Sequence, residues 1–306
     1  MPPIFLHHYP MSPFSEKVRL ALGLKGLAWC SVEIPPAPPR PLLVPLTGGY
    51  RRTPVLQIGA DIYCDTNIIL PTLERLKPEP ALYPPESAAL AKALSFNFER
   101  SIWLPMIGVV ANFIDGLPDA FLKDRKDNYL YVDISKAAME PKLKANVQIV
   151  RAQLAWLAAT LADGRRFLLG ERASALDLGY FHPISLVRNN APHAEVDALL
   201  GLAAIVPWYE RVAALGHGQP SEVSADDALA AAREATPADV SYIAATRDGP
   251  RSGAKVRVTP DDFAKVPVDG TLVVAGDEEI VIHRTDAQAG DVQVHFPRAG
   301  FLISED

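Results

Sequence analysis

The sequence is short of several things at once. Among 306 residues there are only two cysteines, Cys30 and Cys64, too few for a disulfide framework. Both stand in apolar, strand-like surroundings, where a buried free thiol is the expectation. No uninterrupted apolar run reaches the length of a membrane span, and no basic amphipathic segment suited to a lipid surface stands out. Positive charge is not in excess: 30 Lys and Arg stand against 36 Asp and Glu, a formal net of −6, without the basic footprint of a nucleic-acid binder. The opening residues, Met1-Pro-Pro-Ile-Phe-Leu-His-His, lack the basic start and apolar core of a secretory signal. The expectation is a cytoplasmic protein with neither nucleic acid nor membrane as partner.

What is present is a folded chain, 49% hydrophobic and 22% charged, long enough for two or three domains. Residues 4–8 read as a strand stopped by Pro10. Phe14, Val18, Leu20, Leu22 and Leu24 among Glu16, Lys17 and Arg19 predict a helix over 13–24. A second strand follows at 28–34, and the proline-rich stretch 35–45 reads as a loop. Residues 54–63 read as a hairpin with Gly59-Ala60-Asp61 in its turn, and Asp65-Thr66 caps the next helix. This is an α/β domain over 1–80. Residues 85–220 are helical in pattern, with Pro105 expected to kink or break a long helix over 86–114. A second long helix spans 140–161, and Ser174-Ala-Leu-Asp177 is placed like a capping box. From 225 to 306 a brief helix precedes four β-type alternations separated by short turns, predicting a small barrel-like or curled β domain.

Three features of the first domain are informative together. Ser12-Pro13-Phe14-Ser15 opens a helix directly after the first strand. Arg52-Thr53-Pro54-Val55 leads into a strand, a place for a cis proline. Asp65-Thr66 opens a helix whose free N–H groups carry partial positive charge. Together they suit a small, acidic, thiol-bearing peptide. A helix start with a hydroxyl nearby favours a thiolate, backbone beside a cis proline pairs with an extended peptide, and a second helix start takes a carboxylate while Asp65 holds an ammonium.

In these residues the chain resembles the glutathione transferase family, in its serine or cysteine branch. Ser12-Pro-Phe-Ser is similar to that branch's active-site motif, Arg52-Thr-Pro-Val-Leu to its cis-proline motif and Asp65-Thr66 to its γ-glutamyl motif. Ser174-Ala-Leu-Asp177 resembles the family's buried capping box. The likeness implies a thioredoxin-like first domain, an all-α second domain and a homodimer. The small, mainly β C-terminal domain lies outside the family's two-domain plan. It also implies glutathione as co-substrate, no metal, and a small-molecule electrophile as the other reactant. Ser12 would stabilise the thiolate and Phe14 would shape the loop. Thr53, before Pro54, would pair with the cysteinyl unit, Asp65 and Thr66 would hold the γ-glutamyl end, and Arg52 would assist. The family's usual Glu-Ser pair is here Asp65-Thr66, one methylene shorter.

Each residue also has a plainer reading. Ser12 is equally an N-cap before Pro13, Ser15 an ordinary helix-surface residue, and Arg52 a solvated charge beside Arg51. Asp65 and Thr66 are caps in either case. His7 and His8 have no partners at metal-ligand spacing. Phe96, Arg100 and Trp103 recur at helical spacing, either lining an apolar cleft for the electrophile or lying in the core. Serine at position 12 forms no mixed disulfide, so conjugation or isomerisation is favoured over reduction. The alternatives are a non-catalytic scaffold presenting the C-terminal β domain, and a glutathione-dependent isomerase or reductase.

Overall fold

The computed structural model describes residues 2–247 and 249–305. The chain divides into two compact units. One is built on a sheet and comprises residues 1–15, 27–72 and 219–306; the other is helical and comprises 16–26 and 73–218. The 1–80 and 225–306 segments thus share one unit, apart from two stretches of the former that are counted with the helices.

In chain order the elements are β1 (Ile4–His8), α1 (Pro13–Leu24), β2 (Ala28–Glu33), α2 (Val44–Thr47), β3 (Val55–Ile58), β4 (Asp61–Cys64) and α3 (Thr66–Leu76). The helices α4 (Ala88–Val110), α5 (Asp119–Asp124), α6 (Lys136–Met139), α7 (Leu143–Leu161), α8 (Ala175–Arg188), α9 (His193–Leu200) and α10 (Val206–Ala213) follow. Then come β5 (Gln219–Glu222), α11 (Ala225–Glu234), β6 (Lys255–Pro260), β7 (Val268–Ala275), β8 (Glu279–Asp286), β9 (Gly290–Pro297) and β10 (Phe301–Glu305).

The strands form one ten-stranded sheet in the order β10-β6-β7-β8-β9-β4-β3-β1-β2-β5. The β1–α1–β2 unit makes a parallel pair, and β3 and β4 add antiparallel strands. β9 then lies parallel to β4, with Ile62 opposite Val294, and β5 lies parallel to β2. Strands that would otherwise be open edges are covered on both sides by later chain, which disposes of their unpaired backbone groups. All four residues of β4 are buried. A single core holds Val55, Ile62 and Cys64 from the first segment with Leu229, Val256, Val294 and Phe296 from the last.

Three sequence readings are corrected here. The end of the 35–45 stretch is not loop: Val44 and Pro45 open the one-turn helix α2, where proline at the start of a helix needs no N–H. Asp61 belongs to β4 rather than to the turn, because Ile58 pairs with Asp61 and Gly59, at φ +60°, and Ala60 make a two-residue turn. Pro105 lies inside α4, which runs unbroken from Ala88 to Val110.

In the helical unit α8 comes close to α4. A Cβ at Gly179 would sit 2.9 Å from the Ser95 Cβ, so only glycine permits the approach. The Ser174–Asp177 capping box is present. Asp177 accepts from the Ser174 N–H at 2.9 Å, and also from the Leu168 N–H at 2.8 Å and the Trp208 indole at 2.9 Å. Among the described residues no helix is long and apolar enough to cross a membrane.

Candidate active site

Strand register brings the three motifs to one end of the sheet. His7 of β1 stands opposite Val55 of β3, and Val55 stands opposite Cys64 of β4. Beyond that row the chain leaves the sheet through 9–12, arrives through 52–54 and leaves again through 65–66. Because β1 and β4 both run antiparallel to β3, these three stretches emerge on the same side. Tyr63 of β4 stands opposite His295 of the parallel β9. The turn after β9 and the start of β10 therefore belong to this end too, and Phe301 pairs there with Pro260.

At the first stretch, the Ser12 hydroxyl accepts a hydrogen bond from the Ser15 N–H at 3.1 Å. Ser12 is thus the N-cap of α1, with Pro13 at the first helical position, which needs no N–H. Accepting through oxygen leaves the hydroxyl hydrogen to donate, and no acceptor for it is present among the described residues. Phe14 is half-buried on the same turn. Ser15 is fully buried rather than on the helix surface, and its hydroxyl has no partner among the described residues.

At the second stretch the Thr53–Pro54 peptide is cis. Thr53 is buried, and its hydroxyl too has no partner among the described residues. At the third, Asp65 adopts φ +97°, a left-handed conformation that Asp tolerates better than most residues. Its carboxylate accepts from the Asn67 backbone N–H at 2.9 Å and side-chain amide at 3.0 Å, capping α3. Thr66 is buried at the first position of α3.

Comparison with known proteins identifies the family. Residues 6–81 match the family description "Glutathione S-transferase, N-terminal domain" and residues 140–217 match "Glutathione S-transferase, C-terminal domain". A solved GST-like protein from Pseudomonas syringae is 33% identical over 100% of both chains, with a TM-score of 0.82. The chain belongs to the glutathione S-transferase family. Two plant structures share the fold alone over 69% of this chain. They are the Tau class glutathione S-transferase from mango, Mangifera indica (18% identity, TM-score 0.51, 89% of that chain), and poplar glutathione transferase F1 (15%, 0.53, 92%). No curated protein matches.

One set of contacts in this family member was not visible in the sequence. Arg52 is not a solvated charge, at 15% side-chain exposure. Its guanidinium pairs closely with Asp262 and donates from Nε to the Phe263 carbonyl at 3.2 Å. It also reaches the Asp65 carboxylate at 3.5 Å and lies 5.7 Å from the centre of the Phe301 ring. Three of these partners come from the last fifty residues, and no local pattern around Arg52 announces them.

The protein's own thiol at this end is inert. Cys64 is fully buried, and burial together with the neighbouring Asp65 charge pushes its pKa well above that of an ordinary thiol, so it stays protonated at neutral pH. The residues Phe96, Arg100 and Trp103 belong to the helical unit. They are not core: the buried face of α4 is Ala91, Ser95, Phe98, Glu99, Ile102 and Met106. Phe96 and Trp103 are half-buried and Arg100 is exposed, its guanidinium 5.0 Å over the Phe96 ring.

Proposed function

We propose that this family member binds glutathione at the Ser12, Thr53-Pro54 and Asp65-Thr66 end of the sheet and adds its thiolate to an electrophilic small molecule. The observation that carries the reading is the Ser12 hydroxyl. It is fixed as an acceptor by the Ser15 N–H and retains a hydrogen for a thiolate at a helix N-terminus, where partial positive charge already favours the anion. The buried Thr53 hydroxyl, without a partner among the described residues, supports a peptide lying beside Pro54. Asp65 and Thr66 hold the γ-glutamyl end. Phe96, Arg100 and Trp103 are the candidates for contact with the electrophile. Serine at position 12 and the protonated state of Cys64 favour conjugation over thiol–disulfide exchange. The setting we propose is a reducing cytoplasm, with the chain acting as a homodimer and without nucleic acid or membrane.

The test pairs calorimetric titration of glutathione with turnover of 1-chloro-2,4-dinitrobenzene. Ser12→Ala should keep most of the binding and lose about a hundredfold in kcat, the usual cost of removing one donor from a developing anion. Absence of glutathione binding by the intact wild-type chain overturns the reading. Binding without turnover of any electrophile would favour the scaffold alternative, which the engagement of Arg52 by the C-terminal segment supports.

A further inference from the structure

The apolar face of α7 is longer than the core that covers it. Leu143, Val147, Val150, Leu154 and Leu157 continue one helical stripe, yet only the last three are buried. Leu143 and Val147 stay half-buried. On α9 the buried side chains are Val196 and Leu200, while Leu199 is again only half-buried. These three uncovered residues meet. Leu143, Val147 and Leu199 line an open groove of about 610 Å³ together with Lys144, Gln148 and Arg151. That volume falls within the range of small-molecule sites, and every lining residue belongs to the helical unit. Among the described residues, neither Lys144 nor Arg151 has a hydrogen-bond or ion-pair partner. Of the carboxylates on the flanking segments, Glu140 and Glu195 are exposed and pair with neither cation. Asp197 is engaged by Arg188 at 3.0 Å. The Arg151 guanidinium lies beside the cap of α9: a Cβ on Gly201 would sit 3.8 Å from its Nη2. Lys144 leaves α7 two turns earlier, about 10 Å away along the helix axis.

We propose that this groove binds an elongated apolar molecule with an anionic group at each end, of the class of medium-chain α,ω-dicarboxylates. The apolar middle of such a ligand covers Leu143, Val147 and Leu199, surface that the protein's own core leaves against water. One carboxylate pairs with Arg151, whose guanidinium can take it through two parallel hydrogen bonds. The other pairs with Lys144. A single-headed acid satisfies one cation and leaves the second without a counter-charge, and a short diacid cannot span the two. A neutral chain of the same length gains the apolar contact alone. Because the ligand lies across α7 and α9 and has no such groove in the unfolded chain, its binding stabilises the folded protein.

The experiment titrates the full-length protein with decanedioate, decanoate, decanediol and butanedioate, reading binding by saturation-transfer NMR and stabilisation by thermal melting. Decanedioate should bind about fivefold more tightly than decanoate, the scale of one added charge contact at a partly exposed site. It should bind at least about tenfold more tightly than decanediol, which lacks both charges, and than butanedioate, which lacks the apolar chain. The preference over decanediol should shrink as salt is raised. Arg151→Gln and Lys144→Gln, both at exposed positions, should each bring decanedioate down to the decanoate level and leave decanediol unchanged. An unaltered melting temperature without ligand shows these variants to be folded. Decanoate binding as tightly as decanedioate makes the groove a site for single-headed acids and overturns the proposal. Equal binding of decanediol overturns it too, as apolar contact without charge recognition. So does an affinity for decanedioate that stays within twofold of wild type in both variants, and so does the absence of saturable binding by any of the four compounds.

Discussion

His7 and His295 are buried to the same degree in the same sheet, each 1% exposed, yet their pKa values are pushed in opposite directions. Each ties the 1–80 segment to the 225–306 segment. His7 of β1 bonds the Gln57 side-chain oxygen at 2.8 Å, and the Gln57 amide passes the link to the Ala228 carbonyl of α11 at 2.7 Å. Burial dominates there and brings the His7 pKa down to about 4, against the weaker pull of Gln57. His295 of β9 faces carboxylates at both nitrogens, Glu279 at 2.6 Å and Asp61 at 3.0 Å, with Tyr63 stacked on its ring at 4.3 Å. Burial again acts to lower its pKa, but hydrogen bonds and charge from the two carboxylates outweigh it and the net direction is up. A neutral ring donates from one nitrogen only, whereas the imidazolium satisfies both contacts. Partner chemistry, not depth, sets the direction in which a buried histidine shifts.

The sharpest way to break the comparison is to remove each ring. His295→Leu leaves Asp61 and Glu279 buried and facing one another without the imidazole that bonds both, so urea denaturation should report a loss of about 3–5 kcal/mol. Acid titration should come next in size. The folded His7 resists a proton that the unfolded chain takes up near pH 6.5. Its contribution is therefore complete above pH 6.5 and lost on the way to about pH 4, close to 3 kcal/mol for a shift of that size. His7→Leu should flatten that part of the stability–pH curve. For His295 the sign reverses. With the folded value raised, its contribution is complete below pH 6.5 and is lost as pH climbs through that raised value, so His295→Leu should flatten the alkaline limb instead. At neutral pH, His7→Leu should cost only about 1–2 kcal/mol, because it orphans one Gln57 oxygen and no charge. Smallest is Ser12→Ala, where loss of the cap on α1 should cost about 1 kcal/mol by the same denaturation.

Much of the site was readable because it is local. Ser12 before Pro13, Thr53 before Pro54 and Asp65 before an apolar helix are each written in a few consecutive residues, and the structure places all three at one sheet end. The strands β6 to β9 were legible from alternation. β5 was not, because Gln219-Pro-Ser-Glu is exposed throughout and has no apolar face, the signature of an edge strand that accepts a proline. β10 was passed over as well. Partnerships across long stretches of sequence leave no such mark. Nothing near Arg52 names Asp262, nothing near Asp61 names His295, and the joining of the C-terminal strands to β4 has no local signal. The buried hydroxyl of Ser15 was missed for a related reason, since a short polar side chain in the first helical turn looks the same in sequence whether covered or bare.

The pairing of β4 with β9 has a consequence for how this protein is made. Asp61 leaves the ribosome more than two hundred residues before its partner Gln293, and Ala28 precedes Gln219 by nearly as many. During that interval the nascent strands β2 and β4 each present a bare backbone edge, the kind of surface that recruits other chains. Such distant closures are slow as well as late. Over most of synthesis those two strand margins therefore stay open until the chain's own tail arrives to seal them.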